Sequence, residues 1–120
     1  MTLIIALYIL NSTLLLLHEI ESAYEKEWEI LKLPGKITGF LILHLPIIFL
    51  LFYGLLELNK FSKIGIAIGL LSGIGGVLPF FVHKVFVKKK DKFILPLSRI
   101  IIYSNLITGI VLAGLIFRKY

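Results

Sequence analysis

LLLLHEIESAYEKEWEIL, residues 14–31, begins as a run of leucines suited to lipid, then meets His18 and five glutamates within eleven residues. The chain has seven acidic residues and three histidines in all, so most of its carboxylates gather at the end of its first apolar segment. A chain that only had to cross a bilayer would not do this, because an ionisable group at membrane depth is costly and must find a partner. Two expectations follow. The first span ends late, and its polar end belongs to a site.

Composition supports the membrane reading. The 120 residues are 58% hydrophobic with a mean hydropathy of +0.99, too apolar for a small soluble fold that must cover much surface with polar side chains. With no cysteine, disulfides, thiolate metal sites and CxxC redox chemistry are excluded. The net charge of +6 is not a nucleic-acid footprint, because the basic residues cluster at segment ends, where they meet lipid headgroups.

Four apolar blocks predict spans over about residues 2–21, 37–56, 64–87 and 93–117 of a single membrane domain. LPGK (33–36), ELNKFSK (57–63) and VKKKDK (87–92) separate them. The first block is short, so its helix is expected to continue through His18 and Glu21 towards Leu33, where Pro34 stops it. Residues 1–17 read as a retained span, since no cationic region follows Met1 and Asn11-Ser12-Thr13 interrupts the apolar run. The expected fold is an all-α, four-helix integral membrane bundle whose first helix is extended by an amphipathic acidic segment.

Loops one and three, with the span ends beside them, hold nine lysines and arginines against four on the opposite side. The positive-inside rule then makes this a multi-pass protein of the cell membrane, with loops 33–36 and 88–92 cytoplasmic and both termini outside.

The histidines share a depth. His18 closes span one, His44 lies seven residues into span two, and His83 lies five before Lys88. At about 1.5 Å of rise per residue, all three fall within roughly 10 Å of one interface. Arg99 and Tyr103 enter span four at a similar level. Helical phase puts Asn11, His18, Glu21, Ser22, Glu25 and Glu29 on one face of a continuous first helix, with Glu19 and Glu27 pointing elsewhere. In span three, Gly65, Gly69, Ser72, Gly76, Pro79 and His83 recur at steps of three and four, a small-residue face for close helix packing. Trp28 fits an interfacial anchor.

Familiar catalytic motifs fail. His18-Glu19-Ile20-Glu21-Ser22 opens like a zincin, but Ser22 stands where the second histidine belongs, and no P-loop, GxSxG or dinucleotide fingerprint is present.

The ordered set His18-Glu19-x-Glu21-x-Ala23, Glu27-Trp28, His44-x-Pro46, His83 and Pro96-Leu97-Ser98-Arg99 resembles an uncharacterised family of small prokaryotic membrane proteins. Its members typically show a His-Glu-x-Asp-Ala pattern, then Glu-Trp, then further histidines. This chain has Glu21 where aspartate is common and Lys26 where histidine precedes Glu-Trp. Ser22 departs from the His-x-x-Glu-Glu pattern of related families. The resemblance spans residues 14–103 and implies a four-helix membrane bundle, with no established activity.

Three functional readings compete. In the first, His18, Glu21, His44 and His83 bind zinc or non-haem iron, making a metal-binding membrane protein or enzyme. Glu25, Arg99 and Tyr103 would then serve the substrate or support the ligands. A bis-histidine haem is the weaker variant. In the second, the chain is a small proton-coupled transporter or channel, built as a homodimer because four spans make too little wall alone. In the third, it is an accessory or assembly subunit of a larger membrane complex, its polar groups tying helices together within the lipid bilayer. None of the readings involves nucleic acid.

Overall fold

The computed structural model describes residues 2–86 and 95–120. Its helices are α1 (Leu3–Tyr24), α2 (Glu27–Ile30), α3 (Lys36–Asn59), α4 (Lys63–Val85) and α5 (Pro96–Lys119). Among the described residues, α1, α3, α4 and α5 are the four long and apolar enough to cross a membrane. The basic turn 88–92 and the ends of the expected spans at 87 and 93–94 lie outside the described residues.

Each start has a local cause. Thr2 caps α1 by accepting the Ile5 N–H at 3.2 Å, and Ser62 caps α4 by accepting the Gly65 N–H at 3.0 Å. Pro96 opens α5, where its missing N–H costs nothing.

α1 carries the first span past His18 and Glu21 to Tyr24, but not on to Leu33. Lys26 takes a left-handed conformation (φ 54°), and one turn later Lys32 does so again (φ 55°). An L-residue pays roughly 1–2 kcal/mol for such a backbone. The acidic segment therefore doubles back as α2 instead of lengthening α1. Gly35 (φ 90°) then starts α3; a Cβ there would lie 2.8 Å from the Gly39 Cα, so glycine alone suits this turn.

In the bundle, α4 is central. It packs against α5, α3 and α1, while α5 also packs against α1; α3 touches α1 less extensively and does not reach α5. The small-residue face of span three is the buried face of α4: Gly65, Gly69, Ser72, Gly73, Gly76 and Pro79. At its closest, a Cβ on Gly73 would lie 2.8 Å from the Gly109 carbonyl oxygen, so α4 and α5 meet backbone to backbone. Asn11, wholly buried, ties three helices. Its Nδ2 donates to the Ser72 carbonyl (2.8 Å) and Oγ (3.2 Å), and its Oδ1 accepts from the Thr108 hydroxyl at 2.9 Å. Beyond this network Leu58, Leu112 and Ile116, all without exposure, fill the end of the bundle remote from the histidines.

The α4–α5 approach predicts unequal glycines. Gly109→Ala forces a methyl into the Gly73 carbonyl and should cost about 1–3 kcal/mol. Gly114→Ala meets nothing within 4 Å and should leave the melting temperature in detergent unchanged or slightly higher. Equal melting curves for the two variants would contradict this packing.

Candidate functional site

The polar end of α1 meets the start of α3, the end of α4 and the start of α5. His18, 2% exposed, stands edge-on to His83 across the α1–α4 contact, with ring centroids 5.1 Å apart. The chain reversal at Lys26 returns Glu27 to the same place. Its Oε2 lies 3.9 Å from His18 Nε2, and Ser22 Oγ is 3.3 Å from the same nitrogen. One donor atom from each of His18, Glu27 and His83 lies within 4.8 Å of the others. Burial pushes the Glu27 carboxyl above its ordinary range; a hydrogen bond with Ser22 opposes the shift, and the Glu19 charge adds to it.

His44 does not join this cluster. Its Nδ1 lies 2.7 Å from the Phe40 carbonyl, one turn back on α3, and its Nε2 lies 2.5 Å from Glu19 Oε2. Both ring nitrogens are engaged, Nδ1 with the Phe40 carbonyl and Nε2 with the Glu19 carboxyl, away from the His18, Glu27 and His83 group. Phe40 stacks on the His44 ring at 4.0 Å, and Trp28 of α2 leans on Phe40 at 5.6 Å. The interfacial tryptophan thus serves as the outer wall of the site.

The remaining expected residues go to other places. Glu21 accepts a short hydrogen bond from Ser98 Oγ and ties α1 to α5. Glu25 caps the C-terminus of α1. Arg99 is exposed, and Tyr103 is 47% exposed with its ring against Phe80, 5.7 Å away. The structure thus gathers His18 and His83, substitutes Glu27 for Glu21, and pairs His44 with Glu19. Glu19 and Glu27 are the two residues that sequence reasoning turned away from the site. For Glu27 the break at Lys26 removes the premise of one continuous helix; Glu19 does lie on another face of α1 than His18, and enters because α3 brings His44 to it. The Glu27-Trp28 pair was visible as a pattern, without a role.

Beside the cluster is a cavity of about 340 Å³, within the size range of small-molecule sites. His18, Glu19, Glu27 and His44 line its polar end, and Trp28 and Phe40 wall it. Leu15, Leu16, Leu43, Ile47, Leu51, Leu78 and Val82 make the rest apolar. It lies between α1, α3 and α4, with α2 over its polar end.

Fold and site define a small, all-α, multi-pass membrane protein with a buried His/Glu cluster at one end of its bundle. The chain belongs to the DUF6713 family, a family of unknown function whose model matches residues 4–119. No curated protein and no solved structure matches it.

Glu27 yields a prediction with a definite sign. Its carboxyl binds a proton more readily in the folded than in the unfolded chain, so the folded state loses stability as pH rises from the unfolded carboxylate pKa through the folded one. Glu27→Gln removes that penalty. It should raise the melting temperature of metal-free protein by a few degrees at neutral pH, and the gain should fade as pH falls into the ordinary carboxylate range. A lower melting temperature at neutral pH would contradict the assignment.

Proposed function

We propose that this chain is a membrane-embedded metal-binding protein that holds zinc or iron(II) between His18, Glu27 and His83. The observation that carries this reading is the meeting of two imidazoles and one carboxylate, from three separate helices, at a mostly buried point. Two histidines and a carboxylate form a recurrent donor set for zinc and for non-haem iron(II), one that leaves positions for water or substrate. Bonds of about 2.1 Å in a tetrahedral site place ligand atoms roughly 3.4 Å apart. The donor atoms here, within 4.8 Å, need only small side-chain rotations to reach that spacing. His18 and Glu27 also line the cavity, so an ion between them would face it. Ser22, beside His18 Nε2, and the Glu19–His44 pair would orient the ligands and set the local charge.

Transport ranks second. Its supporting observation is the Glu19–His44 pair, with Nε2 and Oε2 2.5 Å apart, at the cavity wall. Against it, Leu58, Leu112 and Ile116 close the far end of one copy, and a pathway would need two. An accessory-subunit role predicts a co-purifying partner and draws on no side-chain feature of its own.

Metal analysis by plasma mass spectrometry on detergent-purified protein, before and after loading with zinc or iron(II), tests the proposal. Wild-type protein should carry close to one equivalent. His18→Ala, Glu27→Ala and His83→Ala should each lose it, whereas His44→Ala and Glu21→Ala should retain it. A folded wild type that takes up neither metal would refute the reading, as would His44→Ala losing metal as completely as His18→Ala.

A further inference from the structure

We propose that the cavity beside the His/Glu cluster receives the alkyl chain of a single-chain membrane lipid with a hydroxyl or ester head, held so that the head meets Glu27 and the Glu19–His44 pair. This goes beyond the metal-binding reading and does not depend on it: the chain and its head suit the ion-free site.

The direction of the opening comes first. Leu43 and Leu78, on the cavity wall, are 49% and 55% exposed, and they belong to helices that cross the membrane. Ile47 lies eleven residues along α3 from Lys36, about 16 Å into the span. Exposed side chains at that depth face hydrocarbon, so the cavity is entered from the bilayer. The far end of the bundle is closed by Leu58, Leu112 and Ile116.

Size suits one chain. A cavity of about 340 Å³ is of the order of a single medium-length alkyl chain, at roughly 30 Å³ per unit. From Leu51 to His44 the apolar wall runs seven residues, about 10 Å along α3.

Charge selects the head. Among the described residues no lysine or arginine lines the cavity, while Glu19 and Glu27 do. In the ion-free site a phosphate would meet these carboxylates with no described cationic side chain to offset them. A hydroxyl can donate to either carboxylate, and an ester carbonyl can accept from an imidazole N–H. The lining therefore favours a neutral head over an anionic one.

The test uses wild-type protein in phosphatidylcholine nanodiscs and a long-chain alcohol with a mid-chain diazirine, with labelled residues mapped by peptide mass spectrometry. Label is expected on Leu16, Leu43, Ile47 and Leu78. A monoacylglycerol should compete, and lysophosphatidic acid should not. A Cβ on Gly75, a cavity residue, meets only Leu15 Cδ2, at 3.7 Å, so Gly75→Leu can extend into the cavity; it should lower cavity labelling about tenfold. Ile47→Trp, at the partly exposed rim, should do the same should Gly75→Leu fail to fold. Label spread evenly over Phe49, Phe52 and Leu56 on the outer face of α3 would overturn the proposal. So would equal competition by lysophosphatidic acid. The labelling is done on chelator-treated protein, and metal uptake is measured separately on the same preparation loaded with zinc or iron(II): cavity labelling with no uptake on loading refutes the metal site alone, and diffuse labelling beside stoichiometric uptake refutes the lipid site alone.

Discussion

Asn11 is a primary amide with no exposure, set in the first of four apolar helices, and an amide there cannot be left without partners. Its bonds to Ser72 on α4 and Thr108 on α5 meet that demand. Those bonds need the α1, α4 and α5 backbones to come close, which Gly73, Gly76 and Gly109 permit. The same approach sets the rotation of α1. Seven residues further on, about two turns, His18 necessarily lies on the same face and meets His83. The position of the cluster follows from a hydrogen-bond requirement near the middle of the bundle.

What that triple contact excludes is as informative. α3 is held mainly by α4, and towards α1 by two polar links: Tyr8 donating to the Leu51 carbonyl at 2.6 Å, and Glu19 paired with His44. Between those links α1 and α3 stand apart, and the cavity fills the gap. Glu19–His44 accordingly closes one end of the cavity and contributes to its lining. Phe40, stacked on His44, and Trp28, tilted against Phe40, wall off that pair.

The four spans were legible because each apolar block ends in residues with local effect: Pro34-Gly35, Ser62 and Pro96 mark boundaries by their own chemistry. The buried face of α4 was legible because glycine, serine and proline recur at helical steps. The reversal at Lys26 was not, since lysine carries no sign of a left-handed backbone and the turn is imposed by contacts made further along the chain. Glu27 was missed for that reason. Depth could be read from helical rise, which is why His18 and His83 were rightly set at one level. Facing could not always be read: α5 is apolar nearly all round, so nothing in its pattern turns Arg99 and Tyr103 outward. His44 shared the depth, but its two partners, Phe40 and Glu19, engage both ring nitrogens.

The order of the helices has a consequence for synthesis. Asn11, His18 and Glu21 leave the ribosome first, yet their partners Ser72, His83, Ser98 and Thr108 belong to the last two helices. Until α4 and α5 arrive, Asn11 and Glu21 on α1 lack the partners they have in the folded chain. Domains form from the N-terminus onward during translation, but here the first helix must wait for the last. A nascent chain halted after α3 would expose those groups to insertion machinery and to membrane proteases. The polar face that builds the site thus also makes completion of the chain a condition for its survival.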